Sequence, residues 1–166
     1  MDSRALVNVE AVKSQIRQGT PEDIPLLVAL MAEFYSESGY QLSRERAAQA
    51  FAKLLSDDRL GRVWLIQADD KDVGYIVVTL GFSMEYGGRH ALLDDVFIQS
   101  AFRGAGLGKA ALVEVCAAMQ QLGVRALHVE VGPDNTPAQA LYRRIGFASA
   151  NRQLLTLRLA DPTHVV

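Results

Sequence analysis

The spacing of apolar positions changes several times along the chain, and each change marks an element. Residues 12–16 begin a short strand that ends at Arg17. Thr20-Pro21-Glu22-Asp23 has the make-up of a helix start: a threonine cap, proline at the first helical position and an acid three residues after the cap. Ile24, Leu27, Val28, Met31, Phe34 and Tyr35 follow at helical spacing until Gly39. Ser43 can cap a second helix with Ala47, Ala50, Phe51, Leu54 and Leu55 on one face. Residues 62–68 and 73–80 read as strands joined by the polar turn Asp69-Asp70-Lys71-Asp72. Residues 81–89, with glycines and aromatics, either extend this hairpin or loop over a site. Residues 91–99 form the next strand, and a helix follows whose face is Leu107, Ala111, Leu112, Val115, Ala118, Met119 and Leu122. Residues 126–131 are another strand. Thr136-Pro137-Ala138-Gln139 reads as a capping box for a helix carrying Leu141, Tyr142 and Ile145, ended by Gly146. Residues 154–159, with Leu155, Leu157 and Leu159 alternating, are expected to close the chain as a strand.

This order predicts one mixed α/β domain over residues 16–160, with residues 1–15 as a leader and 161–166 as a tail. With 166 residues, 49% of them hydrophobic, the chain can bury a core of its own. A net charge of -2 gives no general attraction to nucleic acid or an anionic membrane. No apolar run is long enough to span a bilayer, and Met1-Asp2-Ser3-Arg4 leads into no signal-like segment, so the expected location is the cytoplasm. Cys116, the single cysteine, falls at a core-like helical position and reads as a structural thiol.

The main chemical signal lies between the fourth strand and the helix after it. Arg103, Gly104, Ala105, Gly106, Leu107, Gly108 and Lys109 form a glycine-rich turn that opens a helix. Glycines allow positive φ and close approach of the backbone to a ligand. The helix start adds unpaired N–H groups and the positive end of its dipole, so the turn reads as a diphosphate cradle. The glycine spacing is G-x-G-x-G, which fits neither G-x-G-x-x-G nor G-x-x-x-x-G-K-[ST].

The turn does fit [QR]-x-x-G-x-[GA], the coenzyme A signature of the GNAT-type N-acetyltransferases. The segment from Asn135 to Phe147 also reproduces that family's N-x-x-A-x-x-x-Y-x-x-x-G-F pattern. From about residue 16 to 159 the chain resembles this family. The resemblance implies a central, mostly antiparallel sheet with two splayed parallel strands, flanked by about four helices. It implies an acetyl-CoA site, with backbone groups of Val96, Phe97 and Ile98 along the pantetheine arm and the turn amides on the diphosphate. Asn135 would bind the pantetheine and Tyr142 would face the sulfur, with no metal required.

A phenol is suited to protonate a departing thiolate, because its reference pKa of about 10 keeps it protonated at neutral pH. The bland reading is that Tyr142 only packs against the sheet. Asp94 and Asp95 stand where the family often has an acid pair, and Asp94 replaces the more usual Glu. Adjacent strand residues point to opposite faces, so at most one is expected to face the acceptor; a structural role is the alternative. His90 and His128 are weaker base candidates. Glu33, Tyr35, Glu85 and Tyr86 are candidate contacts for a cationic amine, with Glu37 and Tyr40 nearby, although a solvated helix face explains the glutamates equally well. Arg59, Arg62 and Arg89 would instead suit an acceptor bearing a carboxylate.

The expected activity is acetyl transfer from acetyl-CoA to a primary amine of a small molecule or protein, by direct attack in a ternary complex. The alternative is a non-catalytic acyl-CoA sensor of the same fold. The final strands offer edges for a homodimer.

Overall fold

The computed structural model describes residues 14–150, 153–157 and 159. Its strands are β1 (Ser14–Gln18), β2 (Gly61–Ala68), β3 (Lys71–Ser83), β4 (Gly88–Ile98) and β5 (Ala126–Val129), in the spatial order β1-β2-β3-β4-β5. The first four pair antiparallel, and β5 runs parallel to β4. The helices are α1 (Ile24–Glu37), α2 (Arg44–Ser56), α3 (Leu107–Gln121) and α4 (Thr136–Ile145). A parallel neighbour needs a crossover, and α3 supplies it between β4 and β5.

Both faces of the central strands are covered, which explains why β2 and β3 read as nearly continuous apolar runs. Trp64, Ile66, Ile76, Val78, Ala91 and Leu93 pack with Leu112 and Val115 of α3. Leu65, Tyr75, Val77 and Phe97 face the other way, against Leu27 and Leu30 of α1 and Phe51 of α2. Complete burial of such an aliphatic side chain is worth roughly 1.5–3 kcal/mol, so the two layers fix which face of the sheet each helix covers.

Local chemistry sets the connections. Asp69 and Asp70 take φ of 47° and 60°, the paired positive values of a tight hairpin turn that aspartate tolerates. Arg17 on β1 forks between Asp23 and Asp72, at 2.7 and 2.6 Å, and joins the start of the first helical segment to the β2–β3 turn. Residues 81–89 extend the hairpin rather than forming a separate loop, since β3 runs to Ser83 and β4 starts at Gly88.

Three expectations need correction. The strand placed at 126–131 ends at Val129. The cap of α4 is Asn135, whose Oδ1 accepts from the Ala138 N–H at 3.2 Å, so Thr136 is already helical. Residues 154–157 and 159 are not in a strand, and Leu155, Leu157 and Leu159 are more than 80% exposed. Alternation supplies an apolar face, but a strand also needs a neighbour for its backbone groups, and β5 provides none there among the described residues. Residues 12 and 13 of the first predicted strand lie outside the described residues.

Candidate functional site

β4 passes from pairing on both edges to pairing on one. β5 pairs with it from His90 to Leu93, whereas β3 stays paired as far as Ile98 opposite Gly74. From Asp94 onward, the edge toward β5 has no strand partner among the described residues. Backbone groups on that edge are therefore available to an extended ligand.

A bulge lies where the pairing stops. Val77 is opposite Asp95 and Val78 opposite Leu93, so Asp94 is the extra residue. It breaks the simple alternation expected for the acid pair: Leu93, Val96 and Ile98 pack on the α3 side, while Phe97 packs on the α1 side. Asp94 is exposed and Asp95 is partly buried. The Tyr75 hydroxyl donates to Asp95 Oδ2 at 2.9 Å. Burial raises the Asp95 pKa above the ordinary carboxylate value, the Tyr75 hydrogen bond opposes this, and the charge of Asp94 adds to it. The pKa of the Tyr35 phenol on α1 is raised by burial and then by the charges of Asp95 and Asp94.

The glycine turn follows directly. A 3-10 turn over Ser100–Phe102 leads to Arg103, and Gly104 and Gly106 both adopt φ of +83°. A Cβ at either glycine would meet nothing within 4 Å, so the turn has an open outer surface. Ser43 caps α2 and Asn135 caps α4, but no side chain caps α3. Its first-turn N–H groups are therefore left without a side-chain partner, at the positive end of the helix dipole. Lys109 is exposed and forms no ion pair among the described residues. Arg103 turns toward α1, with Nη2 2.7 Å from Glu37 Oε2.

On α4, the ring of Tyr142 is 9% exposed and lies 5.6 Å from that of Phe147. Its hydroxyl makes no hydrogen bond among the described residues, and burial raises its pKa. The capping bond of Asn135 occupies its Oδ1 and leaves the Nδ2 group as a donor.

The acceptor candidates separate into different surroundings. Tyr35 feels the charges of the acid pair and packs against Tyr40, whereas Gln99 Nε2 donates to both carboxylate oxygens of Glu33 at 3.0 Å. Tyr86 lies beside His128, which in turn contacts His90 at the far end of β4; Glu85 is exposed on the same hairpin. Tyr75 and Gln99 were missed from the sequence, because one lies inside an apolar strand and the other gives no local signal. Cys116 is half-buried, and burial raises its thiol pKa. Among the described residues there is no cluster of three metal-ligating side chains, and no helix is long and apolar enough to cross a membrane.

The fold and site define an α/β domain with an open glycine turn and a helix start at the mouth of a split parallel strand pair. The chain belongs to the Acetyltransferase (GNAT) family, whose profile matches residues 26–147. An integron cassette protein from the mobile metagenome of Cole Harbour Salt Marsh is 47% identical, with a TM-score of 0.81 over 89% of this chain and 92% of that one. An aminoglycoside N(6')-acetyltransferase type 1 of Stenotrophomonas maltophilia is 28% identical over 82% of this chain and 88% of its own. A mycothiol acetyltransferase of Pseudarthrobacter chlorophenolicus is 38% identical, but the match spans 36% of this chain and only 20% of that protein.

Proposed function

We propose that the protein transfers an acetyl group from acetyl-CoA to a primary amine by direct attack in a ternary complex. The observation that carries this reading is the loss of β5 pairing at Asp94, beside the open turn and uncapped start of α3. A diphosphate fits that turn because no Cβ at Gly104 or Gly106 obstructs it. Amides from Gly104, Ala105, Gly106, Leu107, Gly108 and Lys109 hold the diphosphate, and the Lys109 ammonium adds charge. The pantetheine arm lies along Val96 and Phe97 as an added strand would, while Asn135 Nδ2 donates to it.

The amine arrives protonated. Exposed Asp94 receives its charge, and Asp95, a stronger base than an ordinary carboxylate because it is partly buried, takes the proton. Nitrogen then bonds to the acetyl carbon, the carbon–sulfur bond breaks and the Tyr142 phenol gives its proton to sulfur. The second proton, lost from the new amide nitrogen, returns to the Tyr142 phenolate through solvent and leaves a neutral amide. A backbone N–H on the unpaired β4 edge stabilises the oxyanion. Two carboxylates and Tyr35 at the same place favour a cationic amine, and the aminoglycoside-modifying relative places amino sugars in the first test panel.

The test is thiol release from acetyl-CoA across amino sugars, polyamines, amino acids and peptides. Release with one amine class supports transfer. Raised melting temperature with acetyl-CoA but no release across the panel favours a sensor, and a stable acetyl-enzyme would overturn direct attack.

A further inference from the structure

The glycine turn read as the cradle has little side-chain packing of its own. Gly104 and Gly106 have no side chains and nothing within 4 Å of their Cβ positions, so no side-chain packing fixes them. Their geometry depends on the two residues that bracket them. Leu107, on one side, is 3% exposed and belongs to the core under α3. Arg103, on the other, is held at three points. Its Nε donates to the Ile98 carbonyl at 2.6 Å, its Nη2 donates to Glu37 at 2.7 Å, and its guanidinium stands over the Phe97 ring at 5.4 Å. Three restraints fix both the position and the plane of one guanidinium. The Phe97 ring is in turn 5.6 Å from Phe34, and one turn before Glu37 the Gln99 amide grips Glu33. The end of α1 is therefore fastened to both sides of the β4 exit.

We infer that Glu37 is a positioning residue for the donor site, holding Arg103 as the fixed abutment of the glycine turn. This rests on the reading of that turn as the acetyl-CoA cradle. In this role, the Arg103 guanidinium acts on the chain rather than on the diphosphate, whose charge is met by Lys109 and the backbone. The same helix carries Phe34 against the Phe97 ring of β4, so the donor turn and the β4 exit share one support.

Glu37→Gln gives opposite signs for the two accounts. Glu37 is an acid beside an anion site, so removing its charge on simple electrostatic grounds strengthens coenzyme A binding and frees Arg103 to reach the ligand. As a support, its loss loosens the turn and weakens binding. Calorimetric titration with coenzyme A is expected to give about a tenfold higher Kd for Glu37→Gln. Saturating kcat is expected to change less than twofold, with the melting temperature unchanged, because the pair is half-exposed. Arg103→Lys keeps the charge but loses the fork and the stacking, and is expected to match Glu37→Gln rather than wild type. Equal or tighter binding by Glu37→Gln, with wild type binding normally, overturns the support role alone. Absence of coenzyme A binding by wild type overturns the donor-site reading and this role with it.

Discussion

The Tyr75 hydroxyl donates to Asp95 Oδ2 at 2.9 Å, tying the interior of β3 to the bulge of β4. Tyr75 is 0% exposed, so the bond also satisfies a phenol that has no access to water. It stabilises the ionised form of Asp95 against the burial and the Asp94 charge that raise its pKa. One hydrogen bond therefore sets both a core contact and the basicity of the proposed proton acceptor.

Tyr75→Phe removes the one influence that lowers the Asp95 pKa, so the acidic limb of the kcat/KM profile is expected to move to higher pH. Loss of a hydrogen bond to a charged group should also cost about 1.5 kcal/mol in denaturant unfolding. An unmoved limb with reduced stability would separate Asp95 from proton transfer and leave the bond purely structural.

Asp95→Asn addresses the same group from the side of folding. Asp95 binds its proton more tightly folded than unfolded, so the folded state gains stability at low pH. That contribution is complete below the unfolded carboxylate pKa and is lost as pH rises through the raised folded value. The neutral variant should lose this decline, and stability curves measured from pH 3 to 8 are expected to be flatter than those of wild type just above the ordinary carboxylate range.

At Tyr142 the expectation is a selective loss of turnover. Tyr142→Phe retains the buried ring and its contact with Phe147, so folding and coenzyme A affinity should hold. Thiol release should fall by about a hundredfold if the phenol is the general acid. Turnover within twofold of wild type would assign Tyr142 to packing alone.

The glycines of the turn should separate by conformation. Gly106→Ala forces a side chain into φ of +83°, a strain of about 1–2 kcal/mol, and is expected to weaken coenzyme A binding at least tenfold. Gly108→Ala has no such strain, and its Cβ would touch Leu141 and Ile98 at 3.4 and 3.5 Å. Its melting temperature should stay close to wild type. Equal destabilisation by both substitutions would refute this distinction.

The Arg17 fork gives a stability test away from the site. Arg17 holds the Asp23 pKa down to about 2, so this pairing contributes fully above the ordinary carboxylate value and is lost as pH falls toward 2. Arg17→Met is expected to cost about 1–2 kcal/mol at neutral pH, a value discounted because Arg17 is a third exposed, and to cost little at pH 2. Thermal unfolding at the two pH values checks it.

Much of the molecule is legible locally. The helical spacing of α1, α2 and α3, the Asp69-Asp70 turn and the glycine turn all follow from residues within a few positions of one another. The closing leucines show the limit of that logic, since their alternation is real but no described neighbour pairs with them. The capping of α4 shows it on a smaller scale, because Asn135 and Thr136 are both good caps and backbone geometry chose between them.

By itself, the sequence determined the order of elements from β1 to α4, the position of the glycine turn and which residues can carry charge, because periodicity and turn chemistry act over short stretches. Tertiary structure decided how those residues are used. It placed a bulge at Asp94, aimed Arg103 at Glu37 66 residues away, and joined Asp95 to Tyr75 across 20 residues. Strand register and helix docking are collective outcomes of burying two apolar faces at once, and no local pattern encodes which polar side chains that packing will bring together.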